Sequence, residues 1–293
     1  METPRISASS YSNTAPLIWS FLYGRNRSRV EIILDNAPAR SAELLGQDRV
    51  DAALVPVIVY QTLADVKLIP GVCVGAKEKV RSVCLVTDGR DLNDVRTVSL
   101  DVSSRSSVAL VKIIFREFLG KDIEYTPAAP NVEEMLAASD AALIIGDPAL
   151  SISDSGFQIS DFESQVSDLH AAVSDESVRS KIQNLRSKMR KFDLAELWKH
   201  HTGLGFIFAM WMTRADSIDI DFAAVRDEGV ANADSIAASY TANLPLSQPE
   251  IRDYLTQSIS YTPDESMIQG MALYMQLAHK HDLIKNNKDL IFV

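Results

Sequence analysis

The first half of the chain alternates short apolar runs with amphipathic stretches, the pattern of strands covered by helices. Strands are predicted over Arg5–Ser10, Val30–Leu34, Ala52–Val55, Val80–Thr87, Thr97–Asp101 and Ala141–Ile145. Helices are predicted over Ala15–Tyr23, Pro38–Leu45, Ser107–Phe118 and Val132–Ala138. The polar, turn-rich stretch Thr87–Asp94 reads as a crossover between two lobes. A second crossover is expected over Asp193–Gly205, before the apolar run Phe206–Thr213, which reads as a buried strand returning to the first lobe. This places residues 1–92 and 206–293 in lobe one and residues 93–205 in lobe two.

The last third is helical in pattern. Ser247-Gln-Pro-Glu250 and Thr262-Pro-Asp-Glu265 both fit a capping box, a hydroxyl at the N-cap with Glu three residues on. After the second, Met267, Ile268, Met271, Tyr274, Met275 and Leu277 fall on one helical face suited to core packing. Ser151–Arg190 differs, being rich in Ser and Asp. Val178, Ile182, Leu185 and Met189 suggest a loop followed by an amphipathic helix, with a disordered linker as the alternative.

The composition is that of a globular protein with a real core: 46% hydrophobic and 23% charged residues over 293 positions. The net charge of −10 argues against a broad nucleic-acid or anionic-membrane surface, which needs a basic face. It leaves room for a small anion in a locally favourable cleft. Cys73 and Cys84 lie in apolar runs with no His or Cys at ligand spacing, so buried thiols are expected and no metal site. The N-terminal residues lack a secretory pattern and no run of about 20 apolar residues occurs. A cytoplasmic location without membrane association is therefore expected.

Three strand-to-helix junctions carry clustered small polar residues: Tyr11-Ser-Asn13-Thr-Ala-Pro16, Ser103-Ser-Arg105-Ser-Ser107 and Ile145-Gly146-Asp147-Pro-Ala149. In open α/β sheets ligands bind outside the carboxyl ends of strands, where helix N-termini offer free N–H groups to carboxylate or phosphate. Ser104, Ser106 and Ser107 would add hydroxyl donors and Arg105 a fixed charge; one serine would suffice for capping alone. Asp147 fits either a cap ahead of Pro148 or a ligand contact. No glycine-rich phosphate loop and no Gly-x-Ser-x-Gly elbow is present. His200 and His201 are consecutive, and His170, His279 and His281 are scattered, so none is assigned chemistry. The reaction is expected to need no metal, nucleotide or other cofactor.

Six ordered segments carry a resemblance: Ser10–Leu17, Val50–Pro56, Val80–Val83, Leu100–Val108, Ile144–Leu150 and Asp193–Ala209. Together they resemble the chorismate dehydratase family, which opens the futalosine route to menaquinone. The resemblance implies a two-lobed α/β fold of the periplasmic-binding-protein type (type II), with a cleft between the lobes. It departs at Gly205, where the family has proline, so a looser second crossover is expected. A related enzyme of the same route acts on a naphthoate precursor, but its opening motif differs from Tyr11-Ser-Asn13. That enzyme and a non-catalytic small-anion receptor are the alternatives.

The resemblance further implies loss of water from chorismate, a small dianion, to give 3-[(1-carboxyvinyl)oxy]benzoate. Asn13 and Asp147 are the implied catalytic residues. Tyr11, Ser82, Ser104, Arg105, Ser106, Ser107 and Gly146 are the implied substrate contacts. An amide is a poor base, so Asn13 is expected to position groups, leaving the base as the substrate's own carboxylate or Asp147.

Overall fold

The computed structural model describes residues 3–35, 37–152 and 189–293. The expected helix over Val178–Met189, all but its last residue, lies outside the described residues, as does nearly all of the polar insert.

Two five-stranded sheets form the two lobes of a periplasmic-binding-protein-like fold. The first contains β1 (Arg5–Ser9), β2 (Glu31–Asp35), β3 (Ala52–Pro56), β4 (Lys67–Ala76) and β10 (Phe206–Thr213), in the order β2-β1-β3-β10-β4. The second contains β5 (Val83–Thr87), β6 (Thr97–Asp101), β7 (Glu124–Ala128), β8 (Ala141–Ile145) and β9 (Arg190–Asp193), in the order β7-β6-β8-β5-β9. The strands that follow each crossover, β5 and β10, run antiparallel to their neighbours, whereas β1 pairs in parallel with β2 and β3, and β6 with β7 and β8. The central strands β3, β5 and β8 are buried throughout. This is why they read as continuous apolar runs rather than alternating ones.

Helices α1 (Ala15–Leu22), α2 (Pro38–Gly46), α3 (Ser106–Ile113), α4 (Val132–Ala138) and α5 (Asp147–Leu150) follow strands in the first half. Later come α6 (Leu194–Thr202), α7 (Phe222–Ala231), α8 (Ala233–Tyr240), α9 (Gln248–Asp253) and α10 (Glu265–Lys280). The ends of β1, β6 and β8 thus each feed a helix or turn at one edge of the interlobe space. Two helices continue into a π turn, α3 over Ile114–Phe118 and α9 over Tyr254–Ser258.

The first crossover differs from the sequence expectation. Because β5 pairs with β8 and β9, Thr87–Asp94 is a connection within the second lobe. The chain leaves the first sheet earlier, between Ala76 and Val83. An apolar run reports burial but not which sheet it joins, and buried Val80 extended the run backwards. The return to the first sheet goes through α6, between β9 and β10.

Asp193 holds these two passages together. It caps α6 by accepting from Ala195 N (2.9 Å) and Glu196 N (3.2 Å). The same carboxylate accepts from Val80 N (3.0 Å) and Arg81 N (2.6 Å) in the outward crossover. Arg81 sits at φ 65°, a left-handed conformation unusual without glycine, and its bond to Asp193 helps retain it. Burial pushes the Asp193 pKa up, while the Arg81, Val80 and Glu196 N–H groups oppose that shift.

Gly205 does not loosen the second crossover. An added Cβ would meet Met267 Cγ at 2.6 Å and Ala76 O at 3.1 Å. Its N–H donates to Ser266 Oγ at 3.1 Å, which a proline could not do. The glycine therefore allows α10 to close against the crossover. The Ser247–Glu250 capping box is present, whereas α10 starts later than expected. Its cap is Asp264, which accepts from Met267 N at 2.9 Å, and Glu265 is the first helical residue. An Asp following Pro263 supplies the stronger local acceptor.

Asp193→Ala would remove the acceptor from four backbone donors in the two crossovers, those of Val80 and Ala195 buried and those of Arg81 and Glu196 part-buried. A loss of about 3 kcal/mol is expected, since each unmade buried bond costs about 1–3 kcal/mol and water recovers part. The measurement is the denaturation midpoint at unchanged slope. A parental midpoint would remove Asp193 from this role.

Candidate functional site

The β1–α1 loop is fixed at several points before it reaches the cleft. Thr14 Oγ1 donates to Ser9 O (2.6 Å) and Tyr11 O (2.8 Å), and Tyr240 Oη donates to Ser10 O (3.0 Å). From the other lobe the Asp147 carboxylate accepts from Ser12 N (3.1 Å) and Ser12 Oγ (2.5 Å). Asn13 follows directly and is turned toward the space between the lobes.

The β6–α3 loop is organised by Asp101, a fully buried carboxylate. It accepts from Ser103 N (2.9 Å), Ser103 Oγ (2.6 Å) and, with its other oxygen, Ile145 N (3.3 Å), so it joins the ends of β6 and β8. Burial raises its pKa, with the Ser103 and Ile145 bonds acting against the rise. Ser104 Oγ accepts from Ser107 N at 3.2 Å and so has the capping part the sequence allowed. Ser106 reaches across the lobes: its Oγ accepts from Ile58 N (3.3 Å), and its carbonyl accepts from Tyr274 Oη (2.9 Å).

Gly146 has φ 67°, and an added Cβ would lie 2.8 Å from ring atoms of Tyr11. Glycine is needed here for both its backbone and its close approach to the opposite lobe. Burial is the main reason the Tyr11 pKa rises, with the Asp101 and Asp147 charges adding to it and Ser103 opposing it. Its hydroxyl therefore remains a donor at neutral pH.

These loops border a narrow cleft between the lobes. Its polar lining is Ser9, Tyr11, Asn13, Thr14, Ser104, Ser106 and Ser107, with Gly146 beside them. The walls are Pro38, Leu54, Pro56, Val74, Val83, Ile145, Phe208 and Ala209. Apolar walls bordered by hydroxyls and one amide suit a small molecule with an apolar body and polar groups at its edge. Among the described residues, the lining contains no charged side chain.

Six residues singled out in the sequence thus meet: Tyr11, Asn13, Ser104, Ser106, Ser107 and Gly146. Three do not join them on the lining. Ser82 is fully buried beside it, with its carbonyl accepting from Gly146 N (2.7 Å) and its hydroxyl turned to Val80 O (3.5 Å). Arg105 points outward and faces Glu43 of α2 at 3.8 Å. Asp147 directs its carboxylate to Ser12, and burial raises its pKa while the Ser12 bonds oppose the rise.

Sequence reasoning assigned no role to the apolar walls, which come from α2, β3, β4, β5, β8 and β10 and have no shared motif. Leu54, Pro56, Val83, Ile145, Phe208 and Ala209 lay within quoted segments, but no substrate contact was assigned to any of them. It also missed Tyr254, whose buried hydroxyl lies beside the side chains of Ser82 and Asn13. No helix among the described residues is long and apolar enough to cross a membrane.

Solved structures share this architecture at low identity. Protein AF1704 from Archaeoglobus fulgidus superposes with a TM-score of 0.68 at 14% identity, over 96% of this chain and 98% of that one. The Candida albicans CA3427 gene product, described as having the generic periplasmic binding protein fold, gives 0.61 at 12% identity, over 99% and 93%. The periplasmic aliphatic sulphonate binding protein of Escherichia coli gives 0.58 at 15% identity, over 99% and 91%. These likenesses establish the fold. The family itself follows from the sequence: residues 4–280 match the family described as menaquinone biosynthesis, and the chain belongs to that family.

Proposed function

We propose that the protein is a cytoplasmic, cofactor-free hydro-lyase that converts chorismate to 3-[(1-carboxyvinyl)oxy]benzoate and water. The observation that carries this reading is the cleft itself. The Asn13 amide and the hydroxyls of Tyr11, Ser104, Ser106 and Ser107 border apolar walls, as a ring carrying polar groups at its edge requires. Membership of a menaquinone biosynthesis family supplies the context.

The reaction removes a proton from the ether-bearing ring carbon and a hydroxyl from its neighbour. The C–H electron pair becomes the third double bond of a benzene ring, and proton and hydroxide leave as water. Aromatisation makes the step downhill, so the protein's part is orientation and help to the leaving oxygen. The ring carboxylate fits the N-terminus of α3 with Ser106 and Ser107. Asn13 Nδ2 donates to the departing hydroxyl.

The base in this scheme is the substrate's enolpyruvyl carboxylate, tethered through the ether to the carbon that loses its proton. Asp147 is the less suitable base, because its carboxylate is already engaged by the Ser12 N–H and hydroxyl. In this reading Asp147 secures closure of the lobes over the substrate. Closure excludes water and strengthens the polar contacts inside.

Chorismate incubated with the protein should gain the ultraviolet absorbance of a substituted benzoate. Both compounds should raise Tm, by an amount equivalent to about 2.7 kcal/mol at a hundredfold excess over Kd. Stabilisation without any absorbance change would instead identify a non-catalytic receptor, and turnover of a naphthoate precursor the related enzyme.

Asn13→Asp removes the N–H donors and adds a negative charge beside a dianion. A folded protein with near-parental Tm and kcat lower by a factor on the order of 10²–10³ is expected. Parental turnover would limit Asn13 to shaping its loop. Asp147→Asn keeps an acceptor for Ser12, so kcat should fall by no more than about tenfold, one hydrogen bond's worth. Loss of all turnover in a folded Asp147→Asn protein would restore Asp147 as the base.

A further inference from the structure

We infer that Tyr254 is a positioning residue that holds the Asn13 amide in its working orientation; the inference rests on Asn13 serving the cleft as proposed above. Two adjoining side chains each leave a buried polar atom without a partner there. Tyr254 Oη and Asn13 Oδ1 are both inaccessible and neither makes a hydrogen bond. Yet the Asn13 and Ser82 side chains adjoin the Tyr254 hydroxyl closely enough to oppose the rise in its pKa that burial causes. Tyr254 itself is 0% exposed and begins the π turn that follows α9, a distortion that recurs at functional sites.

A buried hydroxyl without a partner is costly, and phenylalanine would fill the same space without that cost. The neighbouring Tyr240 shows the ordinary arrangement, its hydroxyl donating to Ser10 O. The phenol of Tyr254 stays protonated because burial raises its pKa, so it has a proton to donate. An amide carries its acceptor and its donors on opposite sides. A half-turn of the Asn13 side chain about Cβ–Cγ brings Oδ1 to the Tyr254 O–H. That one bond satisfies both orphaned atoms and commits the Nδ2 hydrogens to the cleft. Without Tyr254 either end of the amide can face the ligand, and an outward Oδ1 would repel a carboxylate or a departing hydroxide.

The test is Tyr254→Phe in the full chain. Turnover of chorismate should fall about tenfold in kcat with KM within about twofold, because amide orientation matters most as charge develops. Tm should fall by no more than the loss of one buried hydrogen bond entails, so the variant remains folded. Added to Asn13→Ala, the same change should cost nothing further, as the residue it positions is gone. A readout free of substrate accompanies these. The side-chain amide resonances of Asn13, identified by their loss in Asn13→Ala, should shift in Tyr254→Phe. Parental kcat in Tyr254→Phe, losses that multiply with Asn13→Ala, or unmoved Asn13 resonances would each overturn the inference. Wild-type protein inert toward chorismate would overturn the proposed reaction instead, and the resonances would then decide the positioning role.

Discussion

One buried carboxylate, that of Asp193, fixes how the two lobes meet. It binds backbone N–H groups of both interlobe passages, at Val80 and Arg81 on the way out and at Ala195 and Glu196 on the way back. The turn it holds continues into the site. Ser82, the next residue, accepts from Gly146 N; Asp147 then accepts from Ser12, which precedes Asn13. A connected series of polar contacts therefore runs from the crossover to the cleft. Moving the Val80–Arg81 turn would shift the Gly146 loop, and with it the partner that locates the β1–α1 loop.

The two sides of the interlobe contact differ in character. At the crossovers it is apolar and aromatic: Trp198 meets Phe206 and Tyr274 edge-on at 5.4 and 6.4 Å, and Trp198 Nε1 donates to Gly205 O. Around the cleft it is a set of small polar contacts, Ser12 with Asp147, Ile58 N with Ser106 and Arg105 with Glu43. Aromatic pairs add to a large buried area, whereas a part-exposed ion pair such as Arg105–Glu43 contributes at most about 1 kcal/mol. Polar contacts can be exchanged for water at little cost, whereas parting the aromatic contacts would expose apolar area, so separation of the lobes is cheaper on the cleft side. That is the asymmetry a ligand needs in order to enter.

The strands legible in the sequence and those missed separate on a physical line. Central β3, β5 and β8 are apolar because neighbours cover both faces, and each was recognised. The unrecognised β4, β7 and β9 are edge strands. Pro70-Gly71 interrupts β4, Pro127 lies in β7, and β9 is the short polar Arg190–Asp193. Edges tolerate proline and exposed polar residues, so their sequences carry little periodicity. The site divides similarly. Local motifs brought Tyr11, Asn13, Ser104, Ser106, Ser107 and Gly146 to attention, because capping chemistry and anion binding use the same small polar residues. Arg105 and Asp147 belonged to those motifs too, yet where their side chains point is set by Glu43 and Ser12 on the facing lobe. No spacing along the chain encodes such a partner. Tyr254 was invisible for the same reason, reaching Asn13 from a helix in the last third of the sequence.

Arg105 turning outward bears on the proposed chemistry. The cleft offers hydroxyls, an amide and the N-terminus of α3, with no cationic side chain among the described lining residues. Hydrogen bonds from such groups orient a carboxylate while lowering its basicity less than an adjacent guanidinium would. Two aspartates lie near the cleft but off its lining, and hydrogen bonds already engage their carboxylates: Asp101 with Ser103 and Ile145, Asp147 with Ser12. If the substrate's own carboxylate removes the ring proton, it must stay basic while held still. A neutral, hydroxyl-lined cleft meets both requirements, and an arginine paired with the reacting carboxylate would meet only the second.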